Sequence, residues 1–388
     1  MSVACHADVV VIGAGIIGAS VAWHLSEKKV DVLVLDKSDP CSGTSGACDG
    51  MVFLQSKKPG VHLALAMAGR RKFDTLAREL DADIELRCRG GIMAVTSTAE
   101  LTAVTRFIQE QNRAGLGVSL LDARQARDLE PCLSKDILAA TFCPLDAQVN
   151  PIYLTLAFLD AARRHGARVL SRTPVRDIRI TQQGVYAIDT PGGIIETRTV
   201  VNAAGVHAPA LGKMVGLEIP ITPRRGQILV TGPLPPLLTR CLISAGYVAA
   251  KYNPDIAGTG SMGISIEQTA RGNFLLGATR EFAGFDTATT LTAAKKILSR
   301  TLAVIPGLEN ARIIRTFAGL RPFTPDGLPI LGHVSSRPGF IMAAGHEGDG
   351  IALSPVTGQI IAELITGTAP GISLAPFCLE RFFQGKAS

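Results

Sequence analysis

Apolar residues along this chain fall into blocks of two kinds. Asp8-Val-Val-Val-Ile12 is an almost continuous apolar run and reads as a buried strand; Val30-Asp-Val-Leu-Val-Leu35 is a second. Between them, Ala19 to Lys28 carries apolar residues at helical spacing, at Val21, Ala22 and Leu25. The three segments make a β-α-β unit with Gly13-Ala-Gly15-Ile-Ile-Gly18 at its strand–helix turn. Downstream, helices are predicted over about 60–80, 99–113, 122–131 (stopped by Pro131), 150–166 (opened by Asn150-Pro151), 291–304 and 355–367. Strands are predicted at 90–95, 168–171 and 199–205, at 339–346, and as a hairpin at 175–181 with 184–189. The stretch 223–320 carries several short strand patterns, Cys41 to Gly50 is a loop of small residues, and no internal repeat is visible.

Strands ending in small residues thus recur at the start, middle and end. The predicted fold class is α/β, with two spatial domains built from interleaved segments. A Rossmann-type domain takes 1–88, 148–222 and 324–388. An α+β domain on a mixed or antiparallel sheet takes 89–147 and 223–323.

Composition narrows the function classes. Among 388 residues, 47% are hydrophobic and 19% charged, which places the chain among globular proteins. The net charge is +6, but the basic residues are scattered, so no nucleic-acid-binding stripe is expected. The eight cysteines contain no Cys-x-x-Cys pair, so no metal or iron–sulfur site is expected within the chain, only reduced, mostly buried thiols. The apolar run Val9–Trp23 is too short to span a bilayer, and no transmembrane segment is expected. No N-terminal segment has the parts of a secretory signal, so the expected location is cytoplasmic, with peripheral contact at the inner membrane face left open.

The chemistry begins at the glycines. Gly13 permits a tight turn, Gly15 lets a pyrophosphate approach the backbone, and Gly18 lets helix and sheet pack closely. Asp36, at the end of the second strand, suits ribose hydroxyls and repels a 2′-phosphate. This fingerprint means a dinucleotide; it does not separate FAD from NAD.

The order GAGIIGASVAWHL…VLVLDKS, SGTSGACDG, VNAAGVHAPAL, RRGQILV, FAGLRPFTPDGLPILG and AAGHEGDGIALSPVTGQIIAELITG resembles the D-amino-acid oxidase-type family of FAD enzymes over nearly the whole chain. That family includes glycine and sarcosine oxidases and D-amino-acid dehydrogenases. The resemblance implies a glutathione-reductase-like FAD domain. Its cofactor residues would be Gly13, Gly15, Ile16, Ile17, Gly18, Asp36 and Lys37, then Ser42, Thr44, Ser45, Gly46 and Ala47, then Val175, Ala203, Ala204 and Gly205, and finally Gly345, Gly348, Asp349, Gly350 and Ile351. It implies that Arg321 grips a substrate carboxylate, the competing reading being an ion pair with Asp326. His346 and Glu347 are candidates for the catalytic side of the flavin, or for a purely local role. Arg225 faces the pocket or the flavin as a secondary candidate, and Tyr247 and Tyr252 are pocket aromatics or core residues. Cys48-Asp49 departs from what family members often carry, and whether Cys48 is reactive or packing stays open. No Cys lies between 241 and 378, so FAD is expected to be non-covalent.

GTSGACDGMVFLQSKKPG and GHEGDGIALSPVTG further resemble the FAD subunits of heteromeric dye-linked dehydrogenases such as opine oxidase, D-hydroxyproline dehydrogenase, L-proline dehydrogenase and hydrogen cyanide synthase. This implies oxidation of a secondary amine or D-amino acid, with hydride leaving the α-carbon for flavin N5. A partner subunit carrying iron–sulfur or a second flavin, or a quinone or dye, would then take the electrons. The alternatives are a stand-alone glycine/sarcosine-type oxidase using oxygen, a non-catalytic FAD electron-transfer subunit, and an NAD-dependent dehydrogenase.

Overall fold

The computed structural model describes residues 5–252 and 263–383. Its first sheet has six strands in the order Ile330–Val334, Arg337–Ala344, Thr199–Asn202, Val9–Ile12, Val32–Leu35, Arg168–Leu170. All neighbours run parallel except the edge pair Ile330–Val334 with Arg337–Ala344. A parallel sheet must be covered on both faces, which is why its central strands are apolar throughout. Helices Ile16–Glu27, Pro151–Arg164 and Gly350–Ile365 cover one face, burying Val21, Leu25, Phe158 and Ile361 against Val9, Val11 and Val34. The other face packs on a four-stranded sheet through Ile178, Tyr186, Ile188 and Ile195.

The second large sheet has eight strands, in the order Ile313–Phe323, Thr222–Thr231, Phe274–Gly277, Ser265–Gln268, Cys241–Ser244, Gly91–Val95, Ala139–Cys143, Ser119–Asp122. Only Cys241–Ser244 with Gly91–Val95 is parallel. Helix Leu291–Val304 seals this sheet with Ile297 and Val304 against Leu229, Leu242 and Ile266.

Several expectations need correction. The short strand patterns between 223 and 320 include two long strands, Thr222–Thr231 and Ile313–Phe323, paired along nearly their whole length. A helix the sequence did not announce, Ala245–Tyr252, carries Tyr247. The last helix begins at Gly350, so Pro355 lies inside it rather than opening it. The thiols are less uniformly buried than expected: Cys41, Cys143 and Cys241 are buried, while Cys88 is exposed. Among the described residues, no helix is long and apolar enough to cross a membrane.

Candidate active site

A cleft of about 600 Å³ runs between the parallel sheet and the eight-stranded sheet. At one end lies the glycine turn. Gly13 takes φ 116°, and a Cβ there would stand 2.5 Å from the Ala203 carbonyl oxygen. Gly15 caps the first helix with no side-chain hydrogen bond, and the Ile16 N–H donates to Ser45 Oγ at 2.9 Å. Asp36 accepts the Ala14 and Ser38 N–H groups at 2.7 and 2.8 Å. Ile17, Lys37, Ser42, Thr44 and Ala47 line the same cleft, as do Val175, Ala203, Ala204 and Gly205. Lys37 donates to His207 Nε2 at 2.8 Å, and burial together with the Lys37 charge lowers the imidazole pKa.

Two of the fingerprint and loop glycines stand behind the wall instead. A Cβ on Gly18 would overlap the Gly13 carbonyl oxygen, and one on Gly46 would overlap that of Cys41. They permit close packing without lining the cleft.

The last helix also opens into the cleft. Gly345, Gly348, Gly350 and Ile351 line it, and the helix start has no side-chain cap. Two helix N-termini therefore converge, each with free N–H groups and a positive dipole end. Together with the small residues and the Asp36 carboxylate, they fit a dinucleotide's pyrophosphate and ribose.

The far end is densely charged. Arg321 lies on the wall, its Nη1 donating to the Thr279 carbonyl at 2.9 Å. Its guanidinium crosses Gly226, where a Cβ would approach Arg321 Cζ to 2.6 Å, and runs beside Gly348. Among the described residues it has no carboxylate within ion-pair distance, and Asp326 instead pairs with Arg381 at 2.7 Å.

Glu347 lines the cleft with φ 49°, the left-handed region. Its carboxylate meets Arg280 at 2.6 Å and Arg224 at 3.6 Å, and accepts the Gly348 N–H at 2.6 Å. Burial opposes ionisation, but the charges of Arg280, Arg321 and Lys251 outweigh it and hold the pKa at about 2. His346, also on the wall, is driven to about 3 by burial, and its Nε2 lies 3.1 Å from Thr357 Oγ1. It is a neutral ring at physiological pH. Asp349 lies beneath the turn, off the cleft, paired with Lys57 (2.8 Å), Lys251 (2.7 Å) and His62 (2.9 Å). Burial works against its ionisation, yet Lys251 and Lys57 hold it well below the usual carboxylate range.

Arg225 does not line the cleft. It is forked between Glu281, at 2.7 Å, and Asp286. Its neighbour Arg224 does not line the cleft either, but it is fully buried against Phe282 and Phe323 and lies 3.6 Å from the cleft residue Glu347. Burial and the nearby Arg280 charge lower its pKa to about 10. Tyr247 lines the cleft under the Arg280 guanidinium, 4.6 Å from the ring centre. Tyr252 ends its helix, and its side chain lies outside the described residues. Cys48 is on the wall, but burial and then the Asp49 charge push its thiol well up, which favours packing over reactivity. Among the described residues, no group of three or more His, Cys, Asp or Glu is placed to hold a metal.

Arg224, Arg280, Lys251, Lys57 and His62 were not among the residues the sequence pointed to. The paired Arg224-Arg225 was the one local signal.

The family model for FAD dependent oxidoreductases (DAO) matches residues 8–364. The chain is 33% identical to glycine oxidase of Geobacillus kaustophilus over 96% of its own length and 97% of the relative's. It is 28% identical to the hydrogen cyanide synthase subunit HcnC of Pseudomonas aeruginosa, covering 97% and 96%. The structure of L-proline dehydrogenase from P. horikoshii superposes with a TM-score of 0.89 at 26% identity, covering 99% of both chains.

Proposed function

Because this chain belongs to the DAO family of FAD-dependent oxidoreductases, we propose that it oxidises an amino or imino acid at the carbon bearing nitrogen. FAD, when bound, supplies the two-electron acceptor. The observation that carries the reading is Arg321, a guanidinium on the cleft wall with no carboxylate partner among the described residues. Arg224, Arg225, Arg280 and Arg381 all face protein carboxylates. Arg321 takes the substrate carboxylate bidentately and fixes the α-carbon in the cleft. Thr279 holds the guanidinium from behind. The Gly13 turn, Asp36 and the two helix starts hold the dinucleotide part of the cofactor.

The electrons pass to a partner chain. Similarity to proteins named as subunits supports this.

The test is an anaerobic screen of the purified flavoprotein, alone and with the products of neighbouring genes, against glycine, sarcosine, proline, hydroxyproline, iminodiacetate and opines. Bleaching of the flavin by one of them is expected. A dye reduced only when the partner is present, without oxygen uptake, supports the heteromeric reading; brisk oxygen uptake by the chain alone refutes it. Arg321→Ala should raise the apparent KM roughly 30-fold, the effect of about 2 kcal/mol for a charged hydrogen-bonded pair. An unchanged KM refutes the carboxylate role.

A further inference from the structure

The loop opposite Arg321 carries a carboxylate, Asp49. The Ala47 carbonyl packs against Gly319, where any Cβ would overlap it, and Thr44 Oγ1 donates to the Leu320 carbonyl at 2.6 Å. The loop is thereby fastened across strand Ile313–Phe323. Asp49 and Arg321 each lie two residues from this crossing, at most ~7 Å of chain. Both line the cleft. Both charges are felt by the same two groups, the Tyr247 hydroxyl and the Cys48 thiol, with opposite sign.

Asp49 is half-used. Ser265 Oγ donates to its Oδ2 at 3.1 Å, while Oδ1 accepts no hydrogen bond and no cation pairs with it among the described residues. Behind it, Glu267 is buried and takes the Gly50 N–H on both oxygens, at 3.0 and 3.1 Å. Burial, and then the Asp49 charge, push the Glu267 pKa up to about 8. The cleft thus offers a positive wall at Arg321 and a negative wall at Asp49, flanking one loop–strand crossing.

Resting on the carboxylate role of Arg321, we propose that Asp49 is the specificity-determining anchor for the substrate amine, its Oδ1 accepting an N–H from the nitrogen while the carboxylate lies on Arg321. Arg321 alone would admit any small carboxylic acid. The pair selects those carrying a protonatable nitrogen, because a hydroxy or ether acid leaves the Asp49 charge facing an oxygen lone pair. Ser265 fixes the direction of the anchor through Oδ2.

The experiment uses the FAD-loaded chain and matched probes: sarcosine with methoxyacetate, proline with tetrahydrofuran-2-carboxylate, and iminodiacetate with diglycolate. KM is measured for the amine, and Kd for the unreactive ether acid is measured from the shift of the flavin spectrum. Asp49→Asn is expected to raise the amine KM at least about tenfold, while the ether Kd stays the same or falls, because the charge facing the ether oxygen is gone. Arg321→Lys should weaken both ligands. If Asp49→Asn loses FAD, Ser265→Ala carries the test, with a smaller rise confined to the amine. Equal weakening of amine and ether, or no change in either, overturns the inference. A wild-type flavin that no amine bleaches and no ether acid perturbs overturns the functional reading instead, and this inference with it.

Discussion

Glu347 shows what single residues do here. A non-glycine residue at φ 49° is strained, and the strain is held because the side chain bridges Arg280 and Arg224 in a buried position. Its folded pKa, about 2, lies below the ordinary glutamate value of 4.5. The stability it contributes is therefore fully present above the unfolded pKa and is lost as pH falls through about 2. That window corresponds to about 3 kcal/mol. Glu347→Gln should lose a similar amount at neutral pH and flatten the stability–pH curve in acid, as read by denaturant melts. Glu267 works in the opposite sense. Its folded pKa is raised to about 8, so its cost grows as pH rises from 4.5 to that value. Glu267→Gln keeps an acceptor for the Gly50 N–H and should be more stable than wild type above pH 8, with little difference below pH 4.5. A wild-type melt that stays the higher of the two at pH 9 would refute this. The sequence pointed to Glu347 but not to the cations around it. Arg280 is 67 residues away, and the His62–Asp349 pair spans 287, so no local pattern encodes these contacts. It also favoured Arg225 over Arg224, because a run of residues does not say which face of a strand will meet the Glu347 carboxylate.

At the scale of elements, the first β-α-β unit was legible because its apolar pattern and its glycines are local. The long strands were not. Pro223 and Pro322 stand opposite one another in the pairing of Thr222–Thr231 with Ile313–Phe323, and proline normally argues against a strand. Here they sit toward one end of the pair, and Ile313–Phe323 is an edge strand. The last helix hid its start for a similar reason. Pro355 cannot donate to the Ile351 carbonyl, and Ser354 Oγ donates to it instead at 3.0 Å. Ser354→Ala should cost about 1 kcal/mol by stranding that carbonyl. Four residues after Ser354, a Cβ on Gly358 would press within 2.7 Å of the Ser20 backbone of the first helix. Gly358→Val should lower the melting temperature and weaken FAD retention together, because both helices aim their N-termini into the cleft. A variant that melts early yet keeps FAD at wild-type affinity would uncouple the two helices from the cofactor.

At the scale of the molecule, the cleft has walls from two sheets whose strands are interleaved along the chain. A ligand that fills it binds the folded state alone, so FAD should stabilise the fold by about 2.7 kcal/mol at a hundredfold excess over Kd. The melting temperature of apoprotein should climb with added FAD accordingly. Gly319 gives this coupling an address. It is the point where the strand bearing Arg321 touches the Ala47 carbonyl of the cofactor loop, with no room for a methyl group. Gly319→Ala must push the two walls apart, at a cost of about 1–3 kcal/mol for overpacking. The decisive measurement is how this variant responds to FAD. If the walls move as rigid bodies, FAD will bind weakly and recover little of the lost stability, and the substrate KM will rise because Arg321 and Asp49 are no longer set at the right separation. If saturating FAD instead restores the wild-type melting temperature and KM, the crossing at Ala47 and Gly319 is a packing detail, and the two sheets are held in register by the cofactor itself.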